Sequence, residues 1–170
     1  MTKLLRDLTD YSMSDQLTKQ RSDLCNLLRR AYLSCLPLTE GTNKTLTYTS
    51  RVSCAYMPLD SPKMMEALLN LIVNALDAVS DNGSVQIILT KSNEQFVVSI
   101  IDDGCGIAPK QLLTIFHPFT TTKPDGTGLG LPVAKRIIEG HGGHIRVSSA
   151  PNQGATFTFL LPCSFSSDKK

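Results

Sequence analysis

The chain has 170 residues, of which 41% are apolar and 19% charged, and its formal net charge is +2. This length holds one domain and a short appendage, with an apolar content that needs no disulfide or metal for folding. So small a charge argues against nucleic acid or an anionic membrane surface as partner. The five cysteines include no C-x-x-C pair, and no apolar stretch has membrane-spanning length. We therefore expect a cytoplasmic chain with free thiols and no membrane contact.

The first half of the chain carries three helical patterns and one extended pattern. Leucines at helical spacing predict a short helix in residues 1–11, and residues 12–20 have the composition of a linker. A second helix is predicted from Ser22, as its N-cap, to Leu36, before Pro37. Residues 45–56 are rich in Thr, Val and Tyr and predict two short strands. Ser61-Pro62 opens the helix with the clearest apolar stripe, which runs from Met65 to Leu76.

The second half reads mainly as strands. Asp81-Asn82-Gly83 predicts a turn before a hairpin of residues 85–89 and 96–101. Residues 104–123 form a long loop without a clear period, which in a compact domain is often functional. A helix over 131–138 and strands over 144–149 and 156–161 follow, and residues 164–170 are a polar tail expected to be disordered. This order predicts an α+β fold, a two-layer sandwich with helices on one face of a mixed sheet.

Two amides lie one turn apart beside the apolar stripe of the third helix. Asn70 and Asn74 are close on the helix surface, together with Asp77. Magnesium prefers oxygen ligands and is often held by very few side chains plus the phosphates of a substrate. We take Asn74 as the candidate magnesium ligand and Asn70 as a support for the phosphates or for the water ligands of the metal. Taken alone, two asparagines on a helix are by default ordinary polar surface residues, but their setting in an otherwise apolar helix favours a role, because buried amides need partners.

The segment Asp102-Asp103-Gly104-Cys105-Gly106 follows a strongly apolar strand. A carboxylate at Asp102 can accept a hydrogen bond from the exocyclic amine of adenine, and the glycines allow close approach of the backbone. Ile107 would pack on the base. An acidic turn at a strand end is common, so this segment alone leaves both readings open.

The third segment is Gly126-Thr127-Gly128-Leu129-Gly130-Leu131, which runs into a helix. Its backbone N–H groups and the positive end of the helix dipole suit phosphates, although a loose hinge has the same composition. It matches neither the lysine-bearing P-loop nor the G-x-G-x-x-G fingerprint. Thr120 to Thr122 and Lys123 can add donors. In this order and spacing the three segments predict a pocket for ATP and Mg²⁺.

The histidines supply no second site. His141 and His144 flank Gly142-Gly143 in a turn, but no cysteine or carboxylate set completes a metal site, so we assign them structural or surface roles.

The same segments resemble the sequence boxes of sensor histidine kinases. Asn70 to Ala78 resembles the N box, Asp102 to Ile107 the first glycine box, and Gly126 to Leu131 the second. Ile115 to Lys123 is similar to the F box of the nitrogen-regulation type, and Gly154-Ala155-Thr156 to the last short box. The resemblance covers roughly residues 23–162. It implies the Bergerat ATP-binding fold, shared with gyrase, the heat-shock chaperone and mismatch-repair clamps, with a mobile ATP lid at about residues 108–127.

The resemblance also implies site residues. Asn70, Asn74 and Lys123 would be catalytic, with Asn74 on the metal. The residues implied to hold the nucleotide are Asn70, Asn74, Asp77, Asp102, Gly104, Gly106, Ile107, Phe119, Thr121, Thr122, Lys123, Gly126, Thr127, Gly128, Leu129, Gly130, Leu131 and Thr156.

One departure from the family pattern concerns the phosphate acceptor. Histidine kinases carry the acceptor histidine upstream, in an H-E-x-x-N-P segment on a helical hairpin, whereas no histidine precedes His117 here. Residues 1–20 resemble the end of that dimerisation hairpin and a linker, residues 21–163 the catalytic domain, and residues 164–170 a tail. The expected partners are the histidine-containing hairpin and, through the parent kinase, a response regulator, with the chain itself monomeric.

The sequence disfavours three alternatives. Gyrase-type and mismatch-repair ATPases use a glutamate four residues before the magnesium asparagine as general base, and serine kinases that bind sigma factors also tend to keep it. Asn70 stands at that position and cannot accept a proton at neutral pH. A degenerate module that binds partners without ATP is disfavoured by the complete set of boxes.

Overall fold

The computed structural model describes residues 16–121, 123 and 126–163. The predicted N-terminal helix and the predicted C-terminal tail lie outside these residues. The elements are β1 (Gln20–Asp23), α1 (Leu24–Cys35), a 3₁₀ turn (Leu36–Thr39), β2 (Thr45–Ser50), β3 (Tyr56–Leu59), α2 (Ser61–Ala78), β4 (Ser84–Ser92), β5 (Gln95–Asp102), α3 (Pro109–Leu112), α4 (Gly130–Gly140), β6 (His144–Ser149) and β7 (Ala155–Pro162).

The strands form a five-stranded mixed sheet and a separate ribbon. In the sheet the order is β2-β4-β5-β7-β6, with β2 parallel to β4 and the other pairs antiparallel. β1 and β3 pair antiparallel as a two-stranded ribbon. The register places Val85 and Ala155 on either side of Asp102, so that residue sits at the end of the central strand β5. The prediction of an α+β fold with a mixed sheet is confirmed.

The core lies between the sheet and the long helices. Along β7 the side chains alternate, with Ala155, Phe157, Phe159 and Leu161 buried and the residues between them partly exposed. This period of two is what a sheet with one covered face requires. α2 contacts α1, α4 and β5, and its residues Leu68, Leu71 and Ile72 are completely buried. The covered face and the helices thus form the two predicted layers.

Two local predictions near the N-terminal end were wrong. The N-cap of α1 is Asp23, whose Oδ1 accepts a hydrogen bond from the backbone N–H of Cys25 at 3.0 Å, and Ser22 lies within β1. A carboxylate one residue later caps the helix because β1 continues through Ser22 in its pairing with β3. The second of the two strands predicted in residues 45–56 begins only at Tyr56 and pairs with β1, not with β2.

The start of α2 is held by a buried polar junction. Asp60 caps the helix, since its Oδ1 accepts from the N–H of Lys63, while its Oδ2 accepts from the N–H of Thr18 at 2.8 Å. The backbone N–H of Asp60 donates to Nε2 of the buried His141 at 2.9 Å, and Nδ1 of that ring lies 2.7 Å from the carbonyl oxygen of Ile137. Burial lowers the pKa of His141. His141 is therefore a neutral structural residue that ties the end of α4 to the start of α2.

Within the described ranges, we find no helix that is both long and apolar enough to span a membrane.

Candidate functional site

The amides of α2 lie on the side of the helix that the core does not cover. The buried stripe comprises Met64, Ala67, Leu68, Leu71, Ile72, Ala75 and Leu76. Asn70 and Asn74 fall beside it and are partly exposed, and Asp77 is exposed. Because i and i+4 positions share one helix face, the two amides form a short polar row. This row forms one wall of the candidate site.

Asp102 is a buried carboxylate with one oxygen committed to the fold. Its Oδ1 accepts from the N–H of Gly104 at 3.0 Å and from the N–H of Ala155 at 3.2 Å. Its Oδ2 has no hydrogen-bond partner among the described residues. Burial raises the pKa of this carboxyl, and the two backbone hydrogen bonds oppose the shift. The residue is 5% exposed, so Oδ2 is an acceptor held in a fixed position by the bonds of Oδ1.

The loop after Asp102 packs tightly on its surroundings. Gly106 has φ +69°, and a Cβ added there would lie 2.0 Å from the carbonyl oxygen of Ala150, so only glycine fits. The N–H of Cys105 donates to the carbonyl oxygen of Ala78 at the end of α2. The N–H of Ile107 donates to Oγ of Ser149 at 2.9 Å. These contacts fix the loop between α2 and the β6–β7 turn.

Lys123 bridges the loop after α3 to the polar row of α2. Its Nζ donates to Oδ1 of Asn74 at 3.1 Å and pairs with Oδ2 of Asp77 at 2.9 Å. The Lys123 and Asp77 side chains are 42% and 52% exposed, and ion pairs in such surroundings contribute little to stability. The amide oxygen of Asn74 therefore already binds a cation, through a contact that costs little to break.

The glycine-rich segment packs against both the preceding loop and α2. Gly128 has φ +67°, and a Cβ there would lie 2.6 Å from the backbone of Phe119, whose N–H donates to the Gly128 carbonyl oxygen. A Cβ on Gly130 would lie 3.4 Å from Oδ1 of Asn70. α4 begins at Gly130, so the positive end of its dipole faces the polar row of α2.

The structure brings most of the predicted residues together. Asn70 meets Gly130, and Asn74 and Asp77 meet Lys123, as described above. Gly104 approaches Ala78 at the end of the same helix. Within the glycine-rich segment Leu129 is buried, while Gly126, Thr127 and Leu131 are partly exposed. Phe119 is 61% exposed, and Thr121 is exposed with its Oγ1 accepting from the N–H of Lys123.

One predicted residue stands apart, and another lies outside the described residues. Thr156 pairs with Ile101, one position along from the Asp102–Ala155 pair. Because side chains alternate across a strand, Thr156 points to the face of the sheet opposite Asp102, and the structure does not bring it to this site. Thr122 lies outside the described residues.

Two contributors were missed by sequence reasoning. The N–H of Ala155 holds Asp102, and Oγ of Ser149 holds Ile107 while donating to the carbonyl oxygen of Gly154 at 2.6 Å. Ala155 belongs to the last short box, which was a usable signal. Ser149 is an ordinary strand-end serine, and nothing local in the sequence marks it.

The chemistry of this arrangement is suited to binding and orienting a ligand that carries donors and anionic groups. It offers an acceptor at Asp102, amide oxygens and a lysine on one wall, and backbone N–H groups at the start of α4. Among the described residues, no group of three His, Cys, Asp or Glu side chains is placed to hold a metal ion. A cation here would depend on amide oxygen and on ligands brought by the bound molecule, which is the mode that magnesium favours.

Comparison with known proteins agrees with this geometry. Signal transduction histidine-protein kinase AtoS of Escherichia coli (strain K12) is 36% identical over 165 residues, covering 95% of this chain but only 27% of AtoS. The catalytic domain of histidine kinase ThkA superposes with a TM-score of 0.79 at 29% identity, covering 87% of this chain and 97% of that domain. ThkA in complex with response regulator protein TrrA gives 0.80 at 26%, covering 94% and 46%.

A structure of full-length ShkA in complex with AMPPNP gives a TM-score of 0.84 at 26% identity, covering 94% of this chain and 35% of ShkA. The family model described as Histidine kinase-, DNA gyrase B-, and HSP90-like ATPase matches residues 59–164, which include every box of the site. The chain spans about a quarter of AtoS, so it corresponds to one part of such a kinase. The chain belongs to the Histidine kinase-, DNA gyrase B-, and HSP90-like ATPase family.

Proposed function

We propose that this chain is the catalytic, ATP-binding domain of a two-component sensor histidine kinase. It binds Mg-ATP and presents the γ-phosphoryl group to a histidine on a dimerisation hairpin outside this chain. The observation that carries the proposal is the Lys123 ammonium group bound to Oδ1 of Asn74 and Oδ2 of Asp77, at the end of α2 where the nucleotide boxes meet.

The Lys123 contact supports a cation site at Asn74. An ammonium group and a magnesium ion both bind oxygen atoms. The amide oxygen of Asn74 already accepts a hydrogen bond from the ammonium group of Lys123. Asn74 would hold magnesium, which would neutralise charge on the phosphates when bound. Lys123 would then turn from Asn74 towards the phosphates, a move that the exposed ion pair opposes only weakly.

Adenine recognition falls to Asp102. Its free oxygen Oδ2 would accept from the exocyclic amine, while Oδ1 stays bound to two backbone N–H groups that hold the carboxylate in place. Ile107 packs partly on the core beside this loop and would cover the base. The phosphates would extend towards Asn70 and the start of α4, where backbone N–H groups and the helix dipole favour anions.

Asn70 favours phosphoryl transfer over ATP hydrolysis by this domain. An amide cannot remove a proton from water, and the Asp77 carboxylate beside Asn74 is paired with Lys123. Catalysis would rest on positioning and electrostatics, with Asn70, Asn74 and Lys123 around the phosphates and the nucleophile supplied from outside.

The remaining parts of the proposal concern the whole protein. Residues 1–20 would be the end of the hairpin and a linker, residues 21–163 the catalytic domain, and residues 164–170 a tail. The partners would be the acceptor hairpin and a response regulator, which the names of AtoS and of the ThkA–TrrA complex support for those relatives. The domain would be monomeric and cytoplasmic.

The test is a calorimetric titration with ADP and with a non-hydrolysable ATP analogue, with and without magnesium. The wild type should bind with magnesium, and Asn74→Ala should lose the magnesium-dependent part with an unchanged melting temperature. Asn26→Ala, an exposed asparagine on α1, is the matched control and should bind like the wild type. Equal binding by Asn74→Ala and the wild type would contradict the metal role.

A second assay tests transfer itself. The domain is mixed with [γ-³²P]ATP and a separately produced dimerisation hairpin that carries an acceptor histidine. We expect acid-labile label on the hairpin with the wild type and none with Asn74→Ala. Binding of nucleotide without transfer to the natural hairpin of the parent protein would refute the kinase assignment and leave a nucleotide-binding module.

A further inference from the structure

The β1–β3 ribbon leads two cysteines towards each other, far along the chain from the nucleotide boxes. Asp23 pairs with Tyr56, and one residue further the N–H of Leu24 donates to the carbonyl oxygen of Ala55 at 3.0 Å. Cys25 follows Leu24 and Cys54 precedes Ala55, so this hydrogen bond sets the two cysteine-bearing segments side by side.

Asp23 holds the two cysteine segments together where α1 turns away from the ribbon. Its Oδ1 accepts from the N–H of Cys25 at 3.0 Å and from the N–H of Ala55, the residue after Cys54, at 2.9 Å. One oxygen atom therefore anchors the backbone next to both cysteines. This shared acceptor holds the two segments next to each other where the chain enters α1.

The side chain of Cys25 points towards the segment that leads to Cys54. Its Sγ lies 3.7 Å from Oγ of Ser50 and 3.8 Å from the carbonyl oxygen of Val52. Cys25 is partly buried and Cys54 is exposed. Burial raises the pKa of the Cys25 thiol, the hydrogen bond with Ser50 opposes the shift, and the charges of Asp23 and of the nearby Cys54 add to it. Cys54 is thus the thiol that a reagent in solution reaches first.

We propose that Cys25 and Cys54 form a thiol–disulfide modification site. A low-molecular-weight disulfide oxidises the two cysteines, and the bond formed between them links the start of α1 to the loop before β3. In the first step the thiolate of Cys54 attacks one sulfur of the small disulfide, which gives a mixed disulfide and releases one small thiolate. In the second step the thiolate of Cys25 attacks Sγ of Cys54 and releases the other small thiol. The two cysteines are oxidised by two electrons, and the small disulfide is reduced to two thiols.

The test exposes the reduced, folded full chain to oxidised glutathione and then blocks the remaining thiols with N-ethylmaleimide. We expect a loss of two hydrogen atoms in mass, with the tryptic peptides 22–29 and 52–63 linked. Cys25→Ser should stop at a glutathione adduct on Cys54, and Cys54→Ser should leave Cys25 unmodified. Cys105→Ser removes the other exposed thiol and should leave the link unchanged.

The link should also raise the melting temperature. It closes the chain between residues 25 and 54, and closure of a loop of this length in a domain of this size corresponds to a shift of roughly 7–15 °C. A wild-type chain that accumulates only the glutathione adduct on Cys54 would overturn the proposal. So would a link that forms only in urea, or one that joins Cys54 of two separate chains.

Discussion

Replacement of Asp102 by asparagine tests the adenine role with little disturbance of the fold. The amide oxygen of an asparagine can accept the two backbone hydrogen bonds that Oδ1 accepts from Gly104 and Ala155. The NH₂ group then takes the place of Oδ2, where a donor faces the exocyclic amine of adenine. A hydrogen bond to a charged group contributes about 1.5–3 kcal/mol, so its loss predicts ATP binding weaker by roughly 10- to 150-fold.

The specificity of the site should change together with its affinity. Guanine carries a carbonyl oxygen where adenine has the amine, and an NH₂ group at position 102 can donate to it. Asp102→Asn should therefore reduce the ratio of ATP affinity to GTP affinity, measured by displacement of a fluorescent nucleotide in the presence of magnesium. The free energy of unfolding, measured in urea, should change by less than about 1 kcal/mol, because loss of the charge also removes the cost of burying it.

Asp103, the neighbour of Asp102, is the matched control. Both oxygens of its carboxylate accept hydrogen bonds from Ser84, one from the N–H at 2.8 Å and one from the hydroxyl at 2.7 Å. Asp103→Asn should leave nucleotide affinity unchanged. The reasoning fails if Asp102→Asn discriminates between ATP and GTP as the wild type does, or if Asp103→Asn produces the same loss.

Three further predictions concern the stability of the elements around the site. Gly106→Ala places a Cβ 2.0 Å from the Ala150 carbonyl oxygen and should cost more than about 3 kcal/mol of unfolding free energy, whereas Gly41→Ala, at φ +75° with open space around it, should cost only about 1 kcal/mol; equal losses in urea denaturation would refute the steric argument. His141 has a lowered pKa, so the unfolded chain binds more protons below about pH 6.5, and stability should fall as the pH drops from 7.5 to 5.5. The ring faces Lys19 and Asp60, and a His141→Ala variant should show a shallower pH slope in the same denaturation series. Lys123→Met should change the unfolding free energy by less than about 1 kcal/mol, and a larger loss by calorimetry would mean that its contacts with Asn74 and Asp77 hold the fold.

Prediction from the sequence succeeded where neighbouring residues decide the structure. The apolar period and the proline of α2, the Asn-Gly turn before the β4–β5 hairpin and the start of α4 are all local signals, and each element lies where it was expected. The boxes also predicted Asn70, Asn74, Asp77 and Asp102 as candidate site residues from local runs, since each motif is a short segment with its own chemistry.

Other features depended on residues far apart in the chain. β1 exists only because it pairs with β3, more than 30 positions later, and that pairing moved the N-cap of α1 from Ser22 to Asp23. The face on which Thr156 lies follows from the register of β7 against β5. The contact of Lys123 with Asn74, and that of Ser149 with Ile107, each join segments more than 40 residues apart.

The sequence by itself determined the helices, the hairpin and the kind of chemistry that the boxes carry, because propensity, capping and side-chain type act within a few residues. Only the tertiary structure decided which of those groups meet. Strand register, side-chain alternation and the packing of loops on α2 are set by burial of the whole core, and no short segment encodes them.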